Sequence, residues 1–247
     1  MEGNTSDKKS TVLKAMHQAL DSRLPGARWW QSAAGSGPVL SGSQWHWDTN
    51  YDRHRELMND NPAKVKTDGD AMNDEHFSAV RLDDAGAAAL TVDDRLVDRL
   101  FPRAVAGATA AFTYEDRARD GGTTLTWNQV PAGLPAVRAL VGAAPYGVLV
   151  WRSNGGAAPT ELHLPASFPP GATTVVSSLG TTTAPPPHTG AEPISAAPEP
   201  GPAGPRRLLL STSDTGLHFA LVTTGTGGSP EAARAELAAW AATTFTS

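Results

Sequence analysis

The sequence predicts a mainly β protein: an antiparallel β-sandwich in its second half, with helices near either end. Three observations lead there. Past Val105 the chain breaks into short runs rich in Thr, Val, Leu and aromatic residues, with Gly or Pro between them, which is the spacing of sandwich strands. The 247 residues include 24 Gly and 20 Pro, which points to many turns and loops. Hydrophobic residues make up 40 % and charged residues 18 %, a balance that suits a globular chain with a sizeable core.

Taken in order, Val12, Leu13, Met16 and Leu20 recur at helical spacing, and Asp7 or Ser10 can cap the first turn, so a helix is expected from about Lys8 to Ser22. The Gly-, Ser- and Pro-rich "PGARWWQSAAGSGP" separates it from "VLSGSQWHWD", which is short, apolar and aromatic and reads as a buried strand. Residues 50–81 are polar and carry turn chemistry ("NDNP", "TDGD"), an excursion leading out of that strand. "DDRLVDRLFPRAVAG" then offers a short helical pattern stopped by Pro102.

The expected strands follow as "TAAFTYED", "GTTLTWNQ", "YGVLVWRS", "TELHLP", "TTVVSSLG", "RRLLLSTS" and "LHFALVTTG". Alternation places Phe112, Tyr114, Trp127 and Trp151 in the core of the sandwich rather than on a glycan-binding face. Two segments interrupt the strands: residues 131–145, and the proline-rich stretch 181–205, whose composition suggests an extended, mobile segment. "SPEAARAELAAWAATTF" closes the chain as a helix, with Ser229 as N-cap, Pro230 in the first position and Glu231 in the first turn. Its Ala-rich face with Leu237 and Trp240 suits docking on the sandwich or a partner equally.

The net charge of -5 and pI near 5.8 provide no basic field for a phosphate backbone, so nucleic acid is not an expected partner. With zero Cys there is no disulfide framework, thiolate metal site or cysteine nucleophile, and the compartment stays open. The first residues hold no signal-peptide core, and no apolar run reaches the roughly 18 residues of a membrane span. No Ser/His/Asp set, phosphate loop or dinucleotide fingerprint occurs, and no cofactor is expected.

The densest chemistry lies in "SGSQWHWDTNYDRH", residues 41–54. Trp45 and Trp47 alternate on the expected strand, so only one can face a given side. His46, Asp48, Asp52 and His54 carry metal-binding atoms, but without the fixed spacing of a metal set, so no metal is expected. Further on, "DGDAMNDEHFS" holds Asp70, Asn73 and Glu75; Asp70 and Asn73 can close an Asx-type turn, and Phe77 can anchor it.

The ordered segments "GSQWHWDTNYDRHRELMNDNPAKVKTDGDAMNDEHFSAV", "DRLVDRLFPRAVAG" and "PTELHLP" resemble the C-terminal third of endoglycoceramidase-like enzymes of glycoside hydrolase family 5. The resemblance covers most of residues 8–180 and implies the end of a (β/α)8 barrel followed by a β-sandwich. Residues 1–96 would then be a barrel remnant, with Lys8–Ser22 as its seventh helix and Leu40–Asp48 as its eighth strand. Residues 97–228 would be the sandwich, with the proline-rich insertion at 181–205, and 229–247 the terminal helix.

The implied activity is hydrolysis of O-glycosyl bonds in a glycolipid or related β-glucoside. A whole barrel of this kind takes about 250 residues. Retaining hydrolysis uses two carboxyl groups about 5 Å apart, which in the family stand at the ends of the fourth and seventh barrel strands. No strand four has a counterpart here. Glu2 in "MEGN" is the candidate remnant of the nucleophile, with Gly3 where the family motif has Phe; an N-terminal glutamate without a catalytic part is the plainer reading.

By the same resemblance Trp47 or Trp45 would floor the sugar site and Asp48 and His46 would stand at its lip, the alternative for both tryptophans being core or interface packing. Gly69, Asp70, Asn73, Glu75, Phe77 and Ser78 match a family segment in which Met72 replaces the usual Trp. Trp45, Trp47, Asp48, Asp70, Asn73 and Glu75 are therefore the expected substrate-binding residues. The expected partners are a carbohydrate or glycolipid and an upstream barrel fragment, which would make this chain one half of a split glycosidase. A non-enzymatic glycan- or glycolipid-binding sandwich is the competing reading, and it requires exposed aromatic side chains.

Overall fold

A computed structural model of the chain describes residues 17, 80–82, 88–90, 98–115, 130, 133–156, 158–169, 171–184, 194–198 and 206–245. The chain divides into two compact units. In the first, His17 is helical, and β1 (Val80–Leu82) pairs antiparallel with β2 (Ala88–Leu90), placing Arg81 opposite Ala89.

The second unit is mainly β. One sheet has four strands in the order β3 (Phe101–Ala104), β6 (Thr160–Leu164), β10 (Arg206–Leu210), β9 (Ile194–Pro198). The other has five, in the order β4 (Gly107–Glu115), β5 (Tyr146–Asn154), β11 (Thr215–Thr223), β7 (Thr173–Ser177), β8 (Gly180–Ala184). Every pairing is antiparallel. Two helices complete the described elements of this unit, α1 (Pro135–Val141) and α2 (Pro230–Thr244).

The apolar patterns explain the layering. "YGVLVW" in β5 and "FALV" in β11 are continuous apolar runs, which suit strands buried on both faces. Alternation then divides each run between two cores. Tyr146, Val148, Val150, Phe219 and Leu221 join one cluster with Val137, Leu140 and Val141 of α1 and Ala233, Leu237 and Ala241 of α2. Leu149, Trp151, Ala220 and Val222 join the other, with Leu162 and Leu164 of β6 and Leu208 and Leu210 of β10. β6 and β10 contribute alternate residues only, so Glu161, His163 and Arg207 fall on the opposite face of the four-stranded sheet. The core reading holds for Phe112, Tyr114 and Trp151, which are all buried; Trp127 and the expected strand around it lie outside the described residues.

The passage from one sheet to the other is made within "FPRAVAGATAAF". After β3 the chain turns through Val105 and Ala106, and the Ala106 N–H donates to Thr160 Oγ1 at 3.0 Å. Gly107 opens β4 with φ 133°. A Cβ at this position would overlap the Arg152 carbonyl oxygen of the neighbouring strand, so both the dihedral and the close approach require glycine.

The terminal helix forms where expected. Ser229 caps it, its Oγ accepting from the Ala232 N–H at 3.2 Å. Of the two roles open to its apolar face, the structure selects docking: Ala233, Leu237 and Ala241, spaced by four, are buried in the core shared with the five-stranded sheet. Polar clamps fix its position. Arg234 donates to the carbonyl oxygens of Ser177 (2.8 Å) and Ser178 (3.0 Å). Glu236 Oε2 accepts from the Val137 N–H at 2.8 Å, satisfying a first-turn donor of α1, whose own N-cap Leu134 has no side chain able to do so.

One expectation changes and two gain detail. The helical pattern read as ending at Pro102 does not reach it: residues 98–100 are not helical, and Pro102 lies inside β3, with residues 93–97 outside the described set. Among the described strands β3 pairs with β6 alone, and an edge strand tolerates a residue without an N–H. Residues 131–145 do interrupt the strands, and they contain α1, which begins with Pro135 and is followed by Gly142 at a positive φ of 53°. The proline-rich stretch supplies paired strand in two places: β8 runs to Ala184 alongside β7, and β9 pairs with β10 along Ile194–Pro198. Backbone pairing depends on a neighbouring strand, which composition does not register.

Candidate functional site

Glu2, Trp45, Trp47, Asp48, Asp70, Asn73 and Glu75 all lie outside the described residues, as do His46, Asp52 and His54. Among the described residues no three His, Asp or Glu side chains gather as metal ligands, and no helix is long and apolar enough to cross a membrane. The chemistry that the structure does place together lies in two groups that strand pairing assembles.

The first is the outer face of the four-stranded sheet. Register puts Phe101 of β3 and Arg207 of β10 on either side of His163 of β6. One row along, Ala104 and Leu209 flank Glu161. The β3–β6 register shifts between Pro102 and Ala104, so Arg103 is the additional residue of a bulge, a device that re-aims a side chain at a sheet edge. Arg103 Nη1 lies 3.1 Å from Glu161 Oε1, and Arg207 Nη1 lies 3.8 Å from Glu161 Oε2. One carboxylate thus sits between two guanidinium groups.

Beside them the imidazole of His163 stacks on the Phe101 ring, with centroids 5.1 Å apart and planes 28° apart. His163 Nε2 is 2.9 Å from Asp98 Oδ1, and Asp98 Oδ2 accepts from the Ala166 N–H at 2.7 Å. The ring is therefore held from below by a chain of contacts: Ala166 backbone, Asp98 carboxylate, His163, Phe101. Phe101 is 38 % exposed, and it is the one large hydrophobic side chain exposed among the described residues.

The second group sits at the β7–β8 turn. Ser178 Oγ lies 3.0 Å from His218 Nδ1, and His218 Nε2 lies 3.3 Å from the Asp214 carbonyl oxygen. Because a carbonyl only accepts, the Nε2 carries the proton in this arrangement, leaving Nδ1 to accept from the serine hydroxyl. A hydroxyl donating to an imidazole has the form of an activated nucleophile. Here it acts as a lock. Ser178 Oγ also accepts from the Phe219 N–H at 3.4 Å, and the His218 ring is buried against Trp151, 5.4 Å between centroids. The contacts tie the β7–β8 turn to β11 and leave the hydroxyl engaged on both sides.

Sequence reasoning missed the Phe101, Glu161, His163 and Arg207 face. Its local signal was the alternation in "TELHL", which assigns Glu161 and His163 to the side opposite Leu162 and Leu164. No local pattern places Arg207 or Phe101 beside them, since those neighbours come from strands distant in the chain. No family model, curated protein or solved structure matches this chain.

Proposed function

We propose that the chain is the C-terminal portion of a glycosidase of the endoglycoceramidase/β-glucosidase type, joining the end of a (β/α)8 barrel to an accessory β-sandwich. The observation that supports it best is the pairing of β3 with β6. The two motifs that carry the resemblance, "RLFPRAVAG" and "PTELHLP", are more than 50 residues apart, yet their strands are hydrogen-bonded neighbours with Phe101 opposite His163 and Pro102 opposite Leu162. Two motifs that belong to one structural unit in the family thus meet in one sheet here. On this reading the two sheets that share the Trp151 core are the accessory sandwich, and "SGSQWHWD" ends the eighth barrel strand with Trp47 and Asp48 as one wall of a sugar pocket.

The reaction needs two carboxyl groups about 5 Å apart, carried in the family on the fourth and seventh barrel strands. These 247 residues lack the strand that would hold the acid/base, so the chain hydrolyses O-glycosyl bonds only in company with the strands that bear both groups. The test is hydrolysis of an aryl β-glucoside by the purified chain, with and without a polypeptide supplying the first six barrel strands of such an enzyme. No turnover alone and turnover in the mixture is the expected pattern. Robust turnover by the chain alone, unaffected by Glu2→Gln, would overturn the reading.

A further inference from the structure

The outer face of the four-stranded sheet carries features that packing does not call for. Phe101 exposes more than a third of its surface and is the one large hydrophobic side chain exposed among the described residues, where Leu217, Trp240 and Phe245 are partly buried. Such a ring contributes little to folding from that position. Yet it is held in place, stacked on His163, which Asp98 orients while accepting from the Ala166 backbone. An exposed aromatic ring whose orientation is fixed beforehand loses little conformational entropy when a ligand packs on it.

We propose that this face binds a neutral glycan, with one pyranose ring stacked on Phe101 and its hydroxyl groups bonded to the Glu161, Arg103 and Arg207 cluster. The face of an aromatic ring is electron-rich and attracts the weakly positive C–H groups of a sugar with equatorial hydroxyls. Phe101 and Arg103 are two residues apart on one strand, a separation of about 7 Å. A pyranose hydroxyl lies about 3 Å from its ring centre, and a hydrogen bond adds a further ~2.8 Å, so a sugar centred over Phe101 brings its rim to the charged row. There the Arg103 and Arg207 guanidinium groups, with side chains 40 % and 34 % exposed, present donors to vicinal hydroxyls, and the Glu161 carboxylate between them, with Oε1 buried and Oε2 toward Arg207, holds them in place.

Charge argues for a neutral ligand. Arg103 and Arg207 share the Glu161 carboxylate, and Asp98 faces His163, so the face sets both signs side by side and offers no one-signed field to a phosphate or an ammonium group. The proposal goes beyond the glycosidase reading and does not require it, since a sheet can bind sugar whether or not a barrel accompanies it.

The experiment uses the full chain and cellotetraose, a neutral β-linked glucose oligomer, followed by saturation-transfer NMR and calorimetric titration. Cellotetraose should bind, with Phe101→Tyr retaining binding and Phe101→Leu weakening it about tenfold or more while melting at the wild-type temperature. Glu161→Gln should weaken it several-fold. No saturation transfer to cellotetraose with the wild-type chain overturns the proposal, as does equal binding by Phe101→Leu. Concentration-dependent self-association that Phe101→Leu abolishes, without cellotetraose binding, would instead assign the face to a second copy of the chain. Because sugar binding and aryl β-glucoside hydrolysis are read separately, failure of one leaves the other standing.

Discussion

Truncation of Leu237 to alanine tests whether α2 is part of the fold. The side chain is fully buried at the centre of the Ala233, Leu237, Ala241 stripe, facing the cluster built from α1 and the five-stranded sheet. Leu237→Ala removes three carbon atoms from that core. At about 0.8 kcal/mol for each buried methylene the transfer contribution alone is about 2.4 kcal/mol. The neighbours limit how far the site can collapse: the stripe is pinned by the Arg234 bonds to Ser177 and Ser178 and by the Glu236 bond to the Val137 N–H. A cavity contribution therefore adds to the transfer cost, and the expected total is about 3–4 kcal/mol, within the range for buried Leu→Ala changes.

For a domain of this size about 1 kcal/mol lowers the melting temperature by 2–4 °C, so Leu237→Ala should melt roughly 6–16 °C below the wild type. Differential scanning calorimetry measures this directly, and urea denaturation should show the same loss with little change in slope. Ala238→Ser, one residue along and solvent-facing, should stay within about 0.5 kcal/mol of the wild type. If Leu237→Ala melts with the wild type, α2 does not dock as described, and its apolar stripe belongs to a partner.

Two further changes probe the backbone. Gly107→Ala places a Cβ against the Arg152 carbonyl oxygen at a residue with φ 133°; strain and the forced separation of β4 from β5 should together cost about 2–4 kcal/mol, seen as a lower denaturation midpoint. Ser229→Ala removes the acceptor for the Ala232 N–H and should cost about 1 kcal/mol, while Ser229→Asn, which keeps an acceptor, should stay near the wild type; an equal loss for asparagine would rule out the side-chain oxygen as the cause.

The Ser178–His218 pair shows how a catalytic-looking contact and a structural one differ. Both need a hydroxyl about 3 Å from an imidazole nitrogen. A nucleophile also needs an approach path, whereas the Ser178 hydroxyl is engaged by the Phe219 N–H as well as by a ring buried against Trp151. The same physical test applied to Phe101 points the other way, because that ring is held by His163 yet stays 38 % exposed, open to an approaching group.

How far the sequence reached can be judged from particular elements. "YGVLVW" and "FALV" announce strands with no polar face, and "TELHL" announces one with a single apolar face, because a strand's side-chain period of two is a local property of the chain. Ser229, Pro230 and Glu231 mark the start of α2 because capping is settled within one turn. The segment 135–141 was legible only in part: it lacks an N-cap side chain of its own, and Glu236 supplies the acceptor from about 100 residues away. Pro102 misled because proline stops a helix and also tolerates a sheet edge, and the sequence does not say which strand is an edge.

By itself, then, the sequence determined the β-rich class, the strands' inward residues, the terminal helix and the motif pair on which the glycosidase reading rests, all of them carried by short-range periodicity, capping or composition. Tertiary structure alone decided that β3 pairs with β6, that α2 closes on the sheet, and that Phe101, His163, Glu161 and Arg207 share one face. Those outcomes depend on strand order and register, which arise when distant segments bury their apolar faces together. No window of neighbouring residues contains that information.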